Sequence, residues 1–219
     1  MGGGVYHVIS RGNNRSTVFY RSADYAAFVR LIGTACERVA LDVFAACIMP
    51  NHFHLVVRPV QRCDLSRWAH WLLTTHSHRF HLQHGSVGRV WSGRYKAFPI
   101  AQDVHLLTVM RYVERNAVRA GLVSRARDWK WGSAAWRHGT GFPASLLAET
   151  PVRLPADWGQ FVDEPQTAAE VEALRACVNR QRPYGADHWR DTAPECASYR
   201  GADRRPGRPR KDAGRTDQK

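Results

Sequence analysis

The sequence predicts an α+β fold, and three observations carry that prediction. Short apolar–polar alternations and stretches with apolar residues three and four apart follow one another in the order β-α-β-β-α-β-α. Clusters of glycine, proline and asparagine separate them. Hydrophobic residues make up 44% of the 219 and charged residues 23%, which suits a packed core and excludes a wholly disordered chain. The order contains the split βαβ unit of ferredoxin-like folds, an antiparallel sheet with helices on one face.

Residues 5–10 alternate as a strand, and Arg11-Gly12-Asn13-Asn14 closes it as a turn cluster. Phe28, Leu31, Ile32, Ala35 and Val39 give residues 23–40 helical spacing. Asp42–Met49 reads as the second strand, Pro50-Asn51 as a tight turn, and His52–Arg58 as the returning third strand. Asp64 suits the cap of a helix running to about Gln83, with Trp68, Trp71, Leu72 and Thr75 on one stripe. A glycine-containing loop, 85–93, leads to a short fourth strand, Tyr95–Ile100. Asp103 caps the next helix and Gly121 ends it.

After Val123 the texture changes. Residues 126–165 are rich in Trp, Pro and Gly, and Thr167 to Glu170 is a capping box opening a helix over Ala168–Gln181. From Arg182 onward apolar periodicity almost vanishes, and Pro194 and Gly201 argue against a helix over 191–203. These shifts divide the chain into a first unit, 1–123, a small helical extension, 124–182, and a basic tail, 183–219.

Lys plus Arg is 32 against 19 Asp plus Glu, a net charge of +13 that predicts an anionic partner, nucleic acid before membrane surface. No apolar run approaches the roughly 20 residues of a membrane helix. The start lacks the basic-then-apolar pattern of a secretory signal. Five cysteines without a CxxC argue against a disulfide framework and fit a cytoplasmic setting.

Two patterns carry chemistry. His52-Phe53-His54 places two imidazoles two apart on a strand, both on one face with Phe53 opposite. Such a pair either binds one metal ion or hydrogen-bonds within the fold. Tyr112 and Asn116 lie one helical turn apart on a shared face. They are either a buried hydrogen-bonded pair or a nucleophile beside a hard oxygen ligand. Glu114, two residues from Tyr112, points well away round the helix and is not a base candidate.

Cations accompany both patterns. Arg111, Arg115 and Arg119 form a strip along the second pattern's helix, read either as solvated surface or as a rail facing phosphates. Arg11, Asn13, Asn14 and Arg15 occupy the polar loop after the first strand, while Arg94 and Lys96 flank the fourth. These read equally as surface or as a cationic groove. Arg205, Arg208, Arg210 and Lys211 lie in a tail segment holding eight Lys or Arg against three Asp over 200–219. That composition suits a solvated tail first and insertion into a minor groove second. Trp68 and Trp71 sit at core spacing, which leaves Trp91 as the better platform for an unstacked base. His76, His78, His81 and His84 read as surface histidines.

With Met49-Pro-Asn51 before the histidines and Arg119-Ala-Gly121-Leu-Val123 after Tyr112-x-x-x-Asn116, the chain resembles the single-tyrosine HUH transposases. Within them it is most similar to the REP-associated tyrosine transposases of bacteria, named for repetitive extragenic palindromes. Val5-Tyr-His-Val8, Ser10-Arg-Gly-Asn13, Leu65-Ser-Arg67, Gly93-Arg-Tyr-Lys96, His105-Leu-Leu107, Arg182-Pro-Tyr-Gly185 and Gly207-Arg-Pro-Arg-Lys211 extend the resemblance over about residues 5–185 and the tail.

The resemblance implies an HUH nuclease core and a metal-dependent enzyme that cuts and rejoins single-stranded DNA beside imperfect hairpins of REP-type palindromes. Tyr112 would attack the scissile phosphorus, forming a 5′-phosphotyrosine and releasing a 3′-OH. His52, His54 and Asn116 would hold Mg²⁺ or Mn²⁺. A free phenol, pKa about 10, needs such help at neutral pH. The resemblance also implies a monomer acting at the nucleoid. The rival reading is a non-catalytic regulator that binds palindromes, and a pure binder has no need of His-x-His opposite a tyrosine.

Overall fold

The computed structural model describes residues 3–61, 63–142, 144–180, 182–191 and 193. The residues expected to form the basic tail contacts, Arg205, Arg208, Arg210 and Lys211, and nearly all of 191–203 lie outside the described residues. The expected order of elements is present: β1 (Val5–Arg11), α1 (Ser22–Arg38), β2 (Leu41–Met49), β3 (His52–Pro59), α2 (Asp64–His84), β4 (Lys96–Ile100) and α3 (Val104–Glu114). The strands form one antiparallel sheet in the order β2-β3-β1-β4.

Strand alternation sorts the side chains into two cores. Tyr6, Val8, Phe53, Leu55 and Val57 face α1 and α2, where Phe28, Ile32, Trp68 and Leu72 meet them. Val5, Ile9, Val56 and Phe98 face the other way and meet Leu106, Val109, Met110 and Val113 of α3. The sheet is therefore covered on both faces, where the sequence led us to expect helices on one. The physical reason is that the second face also carries buried apolar side chains, Val5, Ile9, Phe44, Val56, Phe98 and Ile100, which need cover of their own. Each of those α3 side chains gains about 1.5–3 kcal/mol on burial, so apolar packing sets where α3 lies.

Helix α3 begins where expected: the Asp103 carboxylate accepts the His105 N–H at 2.8 Å. It does not run unbroken to Gly121. Arg115, with φ −80° and ψ 0°, separates it from a single turn, α4 (Asn116–Arg119). The helical hydrogen bonds Arg115 N–H to Arg111 and Ala120 N–H to Asn116 persist on either side. Gly121 then takes φ +70°, the left-handed position that stops the turn.

The remaining helices are α5 (Ser133–Arg137), α6 (Trp158–Asp163), α7 (Ala168–Arg180) and α8 (Asp187–Arg190). The capping box is formed, with Thr167 N–H donating to the Glu170 carboxylate at 2.8 Å. These later segments belong to the same two cores: Trp131 and Trp136 join the first, Trp158, Val162 and Leu174 the second. They also pair with the sheet. Ile48 donates to the Trp131 carbonyl and Ala148 to that of Val43, beside β2. On the opposite edge Ala101 donates to Tyr184, and Tyr184 to Pro99. Among the described residues no helix is long and apolar enough to cross a membrane.

Candidate active site

The site lies on the α3 face of the sheet. In the β1–β3 ladder Ile9 is opposite His54, and Arg11 is opposite His52. In the β1–β4 ladder Ile9 is opposite Lys96. Directly opposed residues share a face, so His54, Ile9 and Lys96 form one row and His52 and Arg11 the next. The two imidazoles stand with ring centroids 5.0 Å apart. Tyr112, carried over them by α3, comes within 6.0 Å of the His54 ring, centroid to centroid. Asn116 is buried at the start of α4, and its amide nitrogen has no hydrogen-bond partner in the protein.

Each histidine is held through Nδ1. His52 Nδ1 lies 2.6 Å from the Asn51 side-chain oxygen, and the Asn51 amide donates to the Arg15 carbonyl at 2.9 Å. That oxygen only accepts, so His52 carries its proton on Nδ1 and its lone pair on Nε2. His54 Nδ1 lies 2.9 Å from Nε2 of His7, a wholly buried residue of β1 that sequence reasoning did not single out. Its signal was present: residue 7 shares the face of Val5 and Ile9, and a histidine there interrupts an apolar face.

Electrostatics keep the imidazoles neutral. Burial, followed by the charge of Arg11, lowers His52 to about 4. Burial and then Arg119 lower His7 to about 3. His54 is pushed well below its ordinary value by burial first, then by His7, His52, Arg119 and Arg11. Neutral imidazoles are the charge state in which histidine binds a divalent ion. Among the described residues no three His, Cys, Asp or Glu converge on a metal position. The side chains here that could hold an ion are the two imidazoles and the carboxamide of Asn116. A carboxamide oxygen is a hard ligand of the kind such an ion accepts.

Arg119 completes the surroundings of Tyr112, with its guanidinium 4.0 Å from the ring centroid and Nη2 donating to the Tyr112 carbonyl at 2.9 Å. Glu114, fully buried, accepts from Ser133 Oγ at 2.5 Å, Trp158 Nε1 at 2.8 Å and Arg137 Nε at 3.1 Å. It anchors α3 to the later segments.

Several expected DNA contacts need correction. Arg111 and Arg115 are not a phosphate-facing rail. Arg111 is buried over the Phe161 ring at 4.3 Å, and its Nη2 donates to the Glu164 carbonyl at 2.8 Å and that of Pro165 at 3.2 Å. Arg115 donates to the carbonyls of Val162 and Asp163. The carbonyls around the C-terminal end of α6 attract these cations more closely than solvent would. Trp91 is a core residue, packed against Phe19, Phe28, Phe53 and His76. His76 is likewise buried, whereas His78 and His84 are exposed.

Arg11, Asn14, Arg15, Arg94 and Lys96 are exposed, and Asn13 is half-buried. Asn14 and Arg15 take the left-handed φ values +52° and +61°. Gly12 permits this loop, because a Cβ there would run into the Ser16 carbonyl oxygen. Arg94 Nη2 donates to Ser66 Oγ at 3.2 Å, and Ser66 meets the Tyr95 hydroxyl at 3.0 Å.

A four-stranded antiparallel sheet carrying His-x-His beneath a helix-borne tyrosine is the arrangement of a transposase fold, and the chain belongs to the IS200-like transposase family, whose family model matches residues 3–116. It is an enzyme of the class that cleaves and rejoins DNA. It is 25% identical over 134 residues, 57% of this chain and 70% of the relative, to a Haemophilus influenzae protein named as a REP-associated tyrosine transposase. Its fold matches a solved REP-associated tyrosine transposase bound to a REP hairpin, with TM-score 0.53 and 18% identity over 77% of this chain and 95% of that one.

Proposed function

We infer that the chain cuts and rejoins single-stranded DNA beside hairpin-forming palindromic repeats, with Tyr112 as nucleophile. One observation carries this reading: Tyr112 lies 6.0 Å, ring to ring, from a histidine whose strand partner His52 shares its face. The tyrosine oxygen forms a bond to the scissile phosphorus while the bond to the 3′ oxygen breaks. The products are a 5′-phosphotyrosine and a free 3′-OH, and attack by a 3′-OH reverses the step without a nucleotide cofactor.

His52 Nε2, His54 Nε2 and the Asn116 side-chain oxygen would hold Mg²⁺ or Mn²⁺, with the imidazoles favouring manganese on ligand softness. Such an ion would offset the negative charge that develops on the phosphate. Arg119 holds the Tyr112 ring, and burial keeps water from the reacting centre. Arg11, on the row of His52, and Lys96, on the row of His54, meet the phosphates on either side of the cut. Arg15 and Arg94 extend that track, with Asn13 and Asn14 donating amide hydrogens. Tyr112 packs beside the histidines of its own chain, the arrangement a monomeric enzyme would use.

The test is incubation with single-stranded oligonucleotides carrying palindromic repeats from the host genome, with Mn²⁺ or Mg²⁺, followed by a denaturing gel. A covalent protein–DNA adduct lost with Tyr112→Phe and with EDTA is expected. Hairpin binding with no adduct under any metal would overturn the catalytic reading.

A further inference from the structure

The hydrogen bond between His7 and His54 can run in either direction. A neutral imidazole carries one N–H, and one hydrogen bond of 2.9 Å joins His7 Nε2 to His54 Nδ1. Two arrangements satisfy it. In the first, His7 Nε2–H donates to His54 Nδ1, and His54 then presents an N–H at Nε2, which cannot bind a cation. In the second, His54 Nδ1–H donates to His7 Nε2, and His54 Nε2 presents a lone pair. His7 Nδ1 then bears a hydrogen, and that atom is buried with no hydrogen-bond partner in the protein.

A buried N–H without an acceptor is unfavourable, so the metal-free protein rests in the first arrangement. We propose that His7 is a positioning residue that sets the tautomer of His54, and that loading a divalent cation switches the pair from the first arrangement to the second. The inference rests on the metal reading above. The switch balances: one proton crosses from His7 Nε2 to His54 Nδ1, His54 Nε2 releases one to solvent and His7 Nδ1 takes one up. Net charge on the pair is unchanged. The buried orphan created at His7 opposes loading, while the acceptor at His7 Nε2 makes loading possible. His7 thereby tunes metal affinity without touching the ion or the DNA.

The neighbours leave little freedom for another arrangement. The His7 ring packs edge-on against Phe98 at 4.8 Å and against Tyr112 at 6.1 Å between centroids. His7 has no exposed surface. It therefore cannot turn to offer Nδ1 to His54 without disturbing the ring that holds the nucleophile.

The experiment uses the whole chain with ¹⁵N-labelled histidine. Spectra of the native protein report which nitrogen of His7 and of His54 carries hydrogen, without and with saturating Mg²⁺. The expected result is Nε2–H on both rings without metal and Nδ1–H on both with it. An unchanged pattern on a metal-saturated protein overturns the proposal.

Mn²⁺ affinity by calorimetry supplies the second readout. His7→Gln keeps an acceptor near the place of Nε2 and should bind within about threefold of native. His7→Leu removes it and should bind about 10–100-fold more weakly, the usual effect of losing a partner behind a metal ligand. Equal affinity of His7→Leu and native, both folded by thermal unfolding, overturns the role of His7. If His52→Ala weakens binding in that same series, the metal site itself stands. Absence of Mn²⁺ binding by the native chain overturns both readings. Should His7→Leu fail to fold, the native spectra alone decide.

Discussion

The guanidinium of Arg119 lies 4.0 Å from the centre of the Tyr112 ring and donates to the backbone carbonyl of the same residue. One side chain thus fixes both the ring and the backbone of the proposed nucleophile, across the irregular turn at Arg115. Cation–π contact of this kind is worth about 0.5–2 kcal/mol, and its value here is in placement. Arg119→Met should slow covalent adduct formation by about 10–100-fold in single-turnover assays, since small misplacements of a reacting group have effects of that order. DNA affinity should change little.

Glu114 is the buried anchor of α3. Its carboxylate gathers the Ser133 hydroxyl, the Trp158 indole and the Arg137 guanidinium, while the Ser133 hydroxyl also accepts from the Ala46 N–H of β2 at 2.9 Å. Removing one member of a buried charged network leaves the others unpaired. Glu114→Ala should destabilise the fold by about 3–5 kcal/mol in denaturant unfolding.

The two groups of arginines separate in their salt dependence. Single-strand affinity falls with salt by a slope of about 0.7 for each phosphate contact. Arg11→Ala, Arg15→Ala and Arg94→Ala should each flatten that slope, with little effect on unfolding. Arg111→Met should leave the slope intact and lower the melting temperature, because its guanidinium is committed to α6.

His76, outside the active site, gives a pH dependence of stability. Burial, opposed by Asp24 and aided by Arg79 and His84, lowers it from 6.5 to about 4. The unfolded chain therefore takes up a proton near pH 6.5 that the folded chain refuses until about pH 4. Its stabilising contribution is complete above 6.5 and is lost as pH falls from there to about 4. The expected loss is on the order of 3 kcal/mol. His76→Phe should flatten that part of a stability–pH profile measured by denaturant unfolding.

The order of strands and helices was legible because each element has its own period and its own boundary residues, such as Asp103 and Gly121. His52, His54, Tyr112 and Asn116 were legible from spacing and resemblance. Other features were hidden because they depend on contacts distant in sequence. Arg111 and Arg115 look solvated until α6, about fifty residues on, supplies carbonyls. His76 and Trp91 carry polar atoms, yet aromatic neighbours from α1, α2, β3 and the segment before α1 close over them. His7 becomes informative only when β1 is laid beside β3 in register. The covered second face was readable in principle, since Val5, Ile9, Phe44, Val56, Phe98 and Ile100 add a second apolar set to the strands.

The segments beyond residue 123 occupy the hydrogen-bonding margins of the sheet on both sides, Trp131 and Ala148 beside β2 and Tyr184 beside β4. Unpaired strand margins invite another chain to add on. Here the chain's own later residues take those places. A protein cut after residue 123 would keep every proposed catalytic side chain and yet present two sticky borders, with Glu114 stripped of its three donors. Self-association in light scattering, rather than a smaller working enzyme, is what such a fragment should yield.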